Sequence, residues 1–104
     1  MLVFNLTIKS LLDILNLNKF ISFDLETTGL DQESDSIIEI SAYLFIEGNP
    51  IKSYTKLVNP NINIPASISE LTNISNSDIR NKPLINEVLP EFIDFIDDIP
   101  IVGH

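Results

Sequence analysis

The sequence predicts an α/β domain built on a mixed β-sheet, with a leading three-stranded antiparallel meander followed by helices and a further strand. Three β-prone segments come first, at residues 19–26, 37–46 and 51–58. The hydrophobic period then changes from the alternation of strands to the 3.6-residue period of helices, over residues 65–96. A last apolar segment at 99–103 begins another strand. This order favours mixed strand directions, and 104 residues are enough for one small core.

The first strand, at residues 19–26, carries two carboxylates. Asp24 and Glu26 are two residues apart, so on a strand their side chains leave the same face of the sheet. The residues that alternate with them are apolar, namely Ile21, Phe23 and Leu25. Residues 27–29, Thr-Thr-Gly, then end the strand and turn the backbone. The carboxylates are therefore expected near a strand end, beside a loop.

This pair of carboxylates predicts a metal site. Two like charges held side by side near a core repel each other, and desolvation strengthens the repulsion. A bound divalent cation neutralises such a pair. Mg²⁺ and Mn²⁺ prefer carboxylate oxygens. Asp24 and Glu26 are therefore the candidate metal ligands of this chain.

The next two segments form a predicted hairpin. Residues 37–46 are rich in branched side chains and are expected to be close to fully buried. Residues 48–50, Gly-Asn-Pro, make a tight connection, and residues 51–58 pair with the second strand. A polar turn over residues 31–36 precedes this hairpin.

Two short helices are predicted from their start signals. The first runs from Pro65 through Leu71, with Ser67 and Glu70 as a capping box. Ser75 with Asp78 repeats the same chemistry at the start of the second.

A longer helix is predicted from an apolar stripe of period 3.6 that begins at Ile85. Pro90 lies inside the stripe, and it costs little if Asn86 caps the helix, because it then falls in the first turn. Upstream, residues 1–18 form an apolar leader with a predicted helix over Thr7–Leu17. The leader either packs on the domain, docks on a partner or is disordered.

Composition limits the possible chemistry. The chain has no cysteine, and its one histidine is His104, so thiolate sites are excluded and a zinc site is disfavoured. A net charge of −9 argues against binding to nucleic acid by counterion release alone and against binding to anionic membranes. The N-terminus does not read as a signal peptide and no transmembrane run occurs, so a cytoplasmic location is expected.

The order of these segments resembles the DEDDh 3′–5′ exonucleases, which have a ribonuclease H-like fold. Residues 23–30, Phe-Asp-Leu-Glu-Thr-Thr-Gly-Leu, resemble the first motif of that family. Asn73 stands where the family usually has glycine. Further matching segments follow in register, at 37–40 (Ile-Ile-Glu-Ile), 57–60 (Leu-Val-Asn-Pro), 64–74, 87–92 and 102–104 (Val-Gly-His). The family includes the proofreading epsilon subunit of bacterial replicases and domains fused to polymerases or DinG-type helicases.

The resemblance implies hydrolysis of phosphodiester bonds at the 3′ end of DNA or RNA, with two divalent cations, Mg²⁺ or Mn²⁺. The resemblance also implies that Asp24 and Glu26 are catalytic residues and bind the metal ions. The substrate contacts that it implies are Thr27, Thr28, Gly29, Leu30 and His104.

The resemblance also implies that the family's remaining acidic residues and its catalytic histidine lie beyond residue 104. Residues 19–104 are then the N-terminal part of an exonuclease domain and are expected to have little activity by themselves. The alternative is a non-catalytic module of the same fold that binds a polymerase, a helicase or a second copy of itself. Glu39 is expected to be a hydrogen-bonded structural carboxylate rather than part of the site. Arg80 and Lys82 are expected in a solvated turn rather than on a phosphate.

Overall fold

The computed structural model describes residues 18–103. None of the described helices is long and apolar enough to cross a membrane. The predicted leader helix falls on residues 1–17, outside the described range, as does His104. In chain order the elements are β1 (Lys19–Thr27), β2 (Ile37–Ile46), β3 (Asn49–Leu57), α1 (Ala66–Thr72), α2 (Asn76–Ile79), α3 (Ile85–Ile96) and β4 (Ile101–Gly103).

The four strands form one mixed sheet in the order β3-β2-β1-β4. β1 pairs antiparallel with β2, and β2 pairs antiparallel with β3, whereas β4 runs parallel beside β1. The predicted meander and the predicted further strand are both confirmed. Because β1 has a neighbour on each side, the strand that carries Asp24 and Glu26 lies inside the sheet.

The turn between β2 and β3 consists of Glu47 and Gly48. Their φ angles are 51° and 82°, and positive values at both positions define the type I′ turn that matches the twist of a hairpin. Ile46 therefore pairs with Asn49, so β3 starts earlier than predicted. Pro50 is tolerated inside β3 because this strand is at the sheet edge.

β2 is buried on one face only, so the expectation of near-complete burial was wrong. Its buried residues are Ile38, Ile40, Ala42 and Leu44. The alternating residues Glu39, Ser41 and Tyr43 are half-buried or exposed. They lie opposite Glu26, Asp24 and Ser22 of β1, respectively, and so form one polar face with them.

A β-bulge interrupts the pairing of β1 with β2. Glu26 pairs with Glu39, but Thr27 pairs with Ile37, so Ile38 is an additional residue on β2. Ile38 is fully buried, and Ile37 packs against the main hydrophobic cluster. The bulge thus lets two consecutive isoleucines both pack inside the protein.

The core lies on the face of the sheet opposite Asp24 and Glu26. α3 covers this face through Val88 and Phe92. The rings of Tyr54 and Phe92 lie 5.6 Å apart between centroids. Burying each large side chain contributes about 1.5–3 kcal/mol. The main cluster comprises Ile21, Ile40, Ala42, Leu44, Val58, Val88 and Phe92, and a second cluster comprises Ile38, Ile64, Ile74 and Ile79.

The start of α2 confirms one of the two predicted capping boxes. The Asp78 backbone N–H donates to the Ser75 hydroxyl at 3.3 Å, and the Asp78 carboxylate accepts from the Ser75 N–H at 2.8 Å. The predicted box of Ser67 and Glu70 was wrong. α1 begins directly after Pro65 with no side-chain cap, so Ser67 is already inside the helix.

The start of α3 also differs from its prediction. Leu84, not Asn86, is the N-cap residue, and its N–H donates to the Glu87 carboxylate at 3.1 Å. Pro90 consequently lies in the second turn. A residue there normally donates its backbone N–H to the preceding turn, and proline has no N–H, so one helical hydrogen bond is lost. Packing of Val88 and Phe92 against the sheet offsets that loss.

Candidate active site

Asp24 and Glu26 leave the polar face of β1, close to its C-terminal end. Asp24 is exposed and Glu26 is half-buried. One oxygen of Asp24, Oδ1, accepts a hydrogen bond from the Leu25 N–H at 3.0 Å. That bond orients the carboxylate without removing its charge. The shared face agrees with the sequence prediction, while the metal and catalytic roles of both residues stay predictions.

Glu39 is a third carboxylate on this face. It lies directly opposite Glu26 in the register of β1 and β2. Burial raises the pKa of the Glu39 carboxyl above its ordinary value, and the negative charges of Glu26 and Asp24 raise that pKa further. The Glu39 carboxylate makes no hydrogen bond within residues 18–103, so the expected hydrogen-bonded structural role is wrong.

Among the described residues, no basic side chain forms an ion pair with the carboxylates of Asp24, Glu26 or Glu39. Within residues 18–103 one ion pair forms, between Lys56 and Glu91, with 3.4 Å between nitrogen and oxygen. It lies between β3 and α3 and does not involve the polar face carboxylates. The Asp24 and Glu26 pair thus keeps oxygen ligands available to a hard cation.

The pair alone does not make a complete metal site. The described residues contain no group of three or more His, Cys, Asp or Glu side chains arranged to hold a metal ion. The donors present, two carboxylates without a balancing cation, fit Mg²⁺ or Mn²⁺. Beside Asp24, a shallow cavity of about 390 Å³ is lined by Ser22, Phe23, Asp24, Ser41 and Tyr43.

The loop that follows β1 is held by a buried hydroxyl. Thr28 is 2% exposed. Its hydroxyl donates to Asp35 Oδ1 at 2.8 Å and accepts from the Ser36 N–H at 3.0 Å. The Thr28 N–H donates to the Ser36 carbonyl at 2.9 Å. Thr28 therefore has a structural role in this loop, and its predicted contact with a nucleotide stays a prediction.

Asp35 is a residue that the sequence did not single out. Besides Thr28, its carboxylate accepts from the Asp31 N–H at 2.8 Å. A Cβ placed on Gly29 would lie 2.5–2.8 Å from the Asp35 carboxylate atoms, so glycine is required for the loop to close. The sequence shows only a polar turn here, because the contact depends on the folded path of the loop.

The remaining candidate residues lie on or beyond this loop. Thr27 is half-buried, and its hydroxyl donates to the Gly29 carbonyl. Leu30 is 99% exposed at the start of the loop, an unusual position for a large apolar side chain. The structure therefore brings Asp24, Glu26 and the loop together, whereas His104 lies outside the described residues.

Comparisons with known proteins agree with this geometry. The model of an exonuclease family, RNase_T, matches residues 21–104. A PolC-type DNA polymerase III from Clostridium perfringens is 39% identical over 87 residues, 84% of this chain. The DNA polymerase III epsilon subunit of Aquifex aeolicus is 40% identical over 85 residues, 82% of this chain. The chain spans 6% of the length of the first relative and 42% of the second.

Solved structures show the same fold. Exonuclease X in complex with 5′ overhanging duplex DNA is 27% identical, with a TM-score of 0.63 over 70% of this chain and 42% of that one. A nuclease domain described as a DEDDh family member bound to rAMP has a TM-score of 0.68 at 20% identity, over 76% of this chain and 44% of that one. The resemblance to DEDDh exonucleases and the ribonuclease H-like fold are thereby confirmed.

Proposed function

Because the chain belongs to the RNase_T family of exonucleases, we propose that it acts in a metal-dependent 3′–5′ exonuclease that hydrolyses phosphodiester bonds of DNA or RNA. The observation that supports this most is the pair Asp24 and Glu26, two unbalanced carboxylates on one face of β1 within the matched segment. DNA is the favoured substrate, since the relatives of 39% and 40% identity are DNA polymerase III proteins.

In this proposal Asp24 and Glu26 hold two divalent cations, Mg²⁺ or Mn²⁺, as members of the family generally do. Bound ions of this kind activate a water molecule and neutralise charge on the phosphate. Asp24 contributes an exposed carboxylate that its bond to the Leu25 N–H keeps oriented. Glu26 contributes a second from deeper in the same face. Further ligands come from outside residues 18–103.

The loop after β1 is the proposed contact for the 3′ nucleotide. Leu30 presents an apolar surface on which a base can pack. Thr27 and Gly29 contribute backbone groups, and Thr28 acts by holding the loop through Asp35. His104 remains a proposed substrate contact from the resemblance alone.

We further propose a replicative setting, with a DNA polymerase as partner and a cytoplasmic location. The support is the identity of the relatives, which are DNA polymerase III proteins. The non-catalytic alternative predicts weak or absent binding of Mn²⁺, so tight binding of two ions in a titration would contradict it.

The test is hydrolysis of a 5′-labelled single-stranded DNA by the protein at its natural full length, with Mg²⁺ or with EDTA. We expect products shortened from the 3′ end with Mg²⁺ and none with EDTA. Asp24→Asn and Glu26→Gln should each lower kcat by at least about 100-fold, since each removes a metal ligand. Glu70→Gln, an exposed carboxylate on α1, is the matched control and should keep full activity. Wild-type rates for Asp24→Asn would refute the proposed site.

A further inference from the structure

A polar groove runs from the loop after β1 toward α2. Two adjoining clefts, of about 400 Å³ and about 250 Å³, share Asn59 and Asn61 in their walls. The larger extends to Arg80 and the smaller begins at Ser36. We name this surface the asparagine groove, after its amide side chains and the one cation among them, Asn59, Asn61, Asn63, Asn76, Asn86 and Arg80.

The charge of the asparagine groove differs from that of the rest of the chain. The protein has 15 acidic residues and a net charge of −9. No carboxylate lines either cleft among the described residues, and Arg80 is the charged group in the walls. Ile62 and Ile85 add apolar surface. Amides both donate and accept hydrogen bonds, as the edges of nucleic acid bases do.

Part of the groove is rigid and part is available to a ligand. Asn59 Nδ2 donates to the Arg80 carbonyl at 3.3 Å, and the Asn76 side-chain oxygen accepts from the Ile64 N–H at 2.8 Å. These bonds hold the side-chain amides of Asn59 and Asn76 in place. The side chains of Asn61, Asn63 and Asn86 make no hydrogen bond within residues 18–103. Their donors and acceptors are therefore free to bind.

The groove begins beside the proposed active site. Ser36 lines its near end and is hydrogen-bonded to Thr28. The next residue, Ile37, pairs with Thr27, which directly follows Glu26. The groove therefore starts at two residues, Ser36 and Ile37, that contact the loop after β1 directly.

We infer that the asparagine groove binds the single-stranded nucleic acid on the 5′ side of the nucleotide held at the active site. The inference rests on the proposed function and adds the path of the substrate to it. Arg80 pairs with a phosphate, and the free amides bind base edges. Because no carboxylate lines the walls, the phosphates meet less repulsion here than they would elsewhere on this acidic surface.

The experiment uses the full-length protein and two probes. The p-nitrophenyl ester of thymidine 5′-monophosphate occupies the carboxylate site alone, whereas fluorescent dT8 also reaches the groove. Binding of dT8 is measured by anisotropy in Ca²⁺ over a range of salt, and hydrolysis of both probes in Mg²⁺. The test variant is Asn61→Gly with Arg80→Gln. Glycine keeps the φ of 60° at position 61, and the Arg80 carbonyl bond to Asn59 is retained.

We expect the double variant to bind dT8 about 5-fold or more weakly and its salt slope to fall by about 0.7, one phosphate contact. Hydrolysis of the mononucleotide ester should stay at the wild-type rate, which also shows that the variant is folded. Lys19→Gln, which removes a positive charge at the far end of β1, is the matched control and should bind dT8 as the wild type does. Asn63→Asp, a second variant that adds a carboxylate to an exposed wall, should weaken dT8 binding most at low salt.

The outcomes separate the two proposals. If the wild type hydrolyses both probes and neither variant changes dT8 binding, the groove is not used and this inference is overturned, while the exonuclease proposal stands. If the wild type binds dT8 in a manner that depends on the groove but hydrolyses nothing, the groove stands and the exonuclease proposal fails. If the wild type neither binds nor hydrolyses, both are overturned.

Discussion

Replacing Thr28 by valine tests whether a single buried hydroxyl holds the loop next to the proposed active site. Valine has nearly the shape of threonine, so Thr28→Val opens no cavity. It removes a bond of 2.8 Å to the Asp35 carboxylate and one of 3.0 Å from the Ser36 N–H. A hydrogen bond to a charged group is worth about 1.5–3 kcal/mol, and a buried N–H left unpaired costs about 1–3 kcal/mol.

The two losses overlap, because the exposed side of the loop relaxes toward water. We therefore expect Thr28→Val to lower the free energy of unfolding by about 2–4 kcal/mol. The assay is urea denaturation, together with hydrogen exchange at the Ser36 amide, which should become faster. Thr55→Val on the exposed face of β3 is the matched control, with an expected change within about 0.5 kcal/mol. A loss below about 1 kcal/mol with unchanged exchange at Ser36 would show that this hydroxyl does not hold the loop.

Two further perturbations follow from the same region. Gly29→Ala places a methyl group where the Asp35 carboxylate lies, so it should lower the free energy of unfolding by about 1–3 kcal/mol. The measurement is urea denaturation, and an unchanged stability would contradict the tight contact between Gly29 and Asp35. Glu39→Gln should stabilise the metal-free protein at neutral pH. The folded pKa of Glu39 is raised by burial and by the charges of Glu26 and Asp24, so the folded state loses stability as pH rises from the ordinary value of 4.5 through the folded pKa. The gain from Glu39→Gln, measured in EDTA, should therefore shrink as pH falls below that window, and a gain independent of pH would refute this origin.

The fold was largely predictable from local patterns. Alternation and turn residues predicted the meander, and the Ser75 and Asp78 signal predicted the start of α2, because both depend on residues close in sequence. The Ser67 and Glu70 signal failed because the same motif fits a helix that has already begun at Ala66. A motif of two residues does not determine which turn of a helix it occupies.

The site was predictable in part. The shared face of Asp24 and Glu26 follows from the two-residue period of a strand. The position of Glu39 opposite Glu26 does not, since nothing in the sequence marks Ile38 as an additional, bulged residue at the start of β2. The role of Asp35 was equally hidden, because it depends on the path of the loop in three dimensions.

The bulge at Ile38 adds one fully buried side chain to the second cluster without shifting the rest of β2. Deleting Ile38 would leave residues 39–46 paired with β1 as before, but it would remove that side chain and the Ile38 carbonyl that accepts from the Val58 N–H at 2.8 Å. Length changes within the exposed stretch around Gln32 remove no buried contact. The domain is thus expected to tolerate insertions in the loop far better than a single-residue deletion at the start of β2.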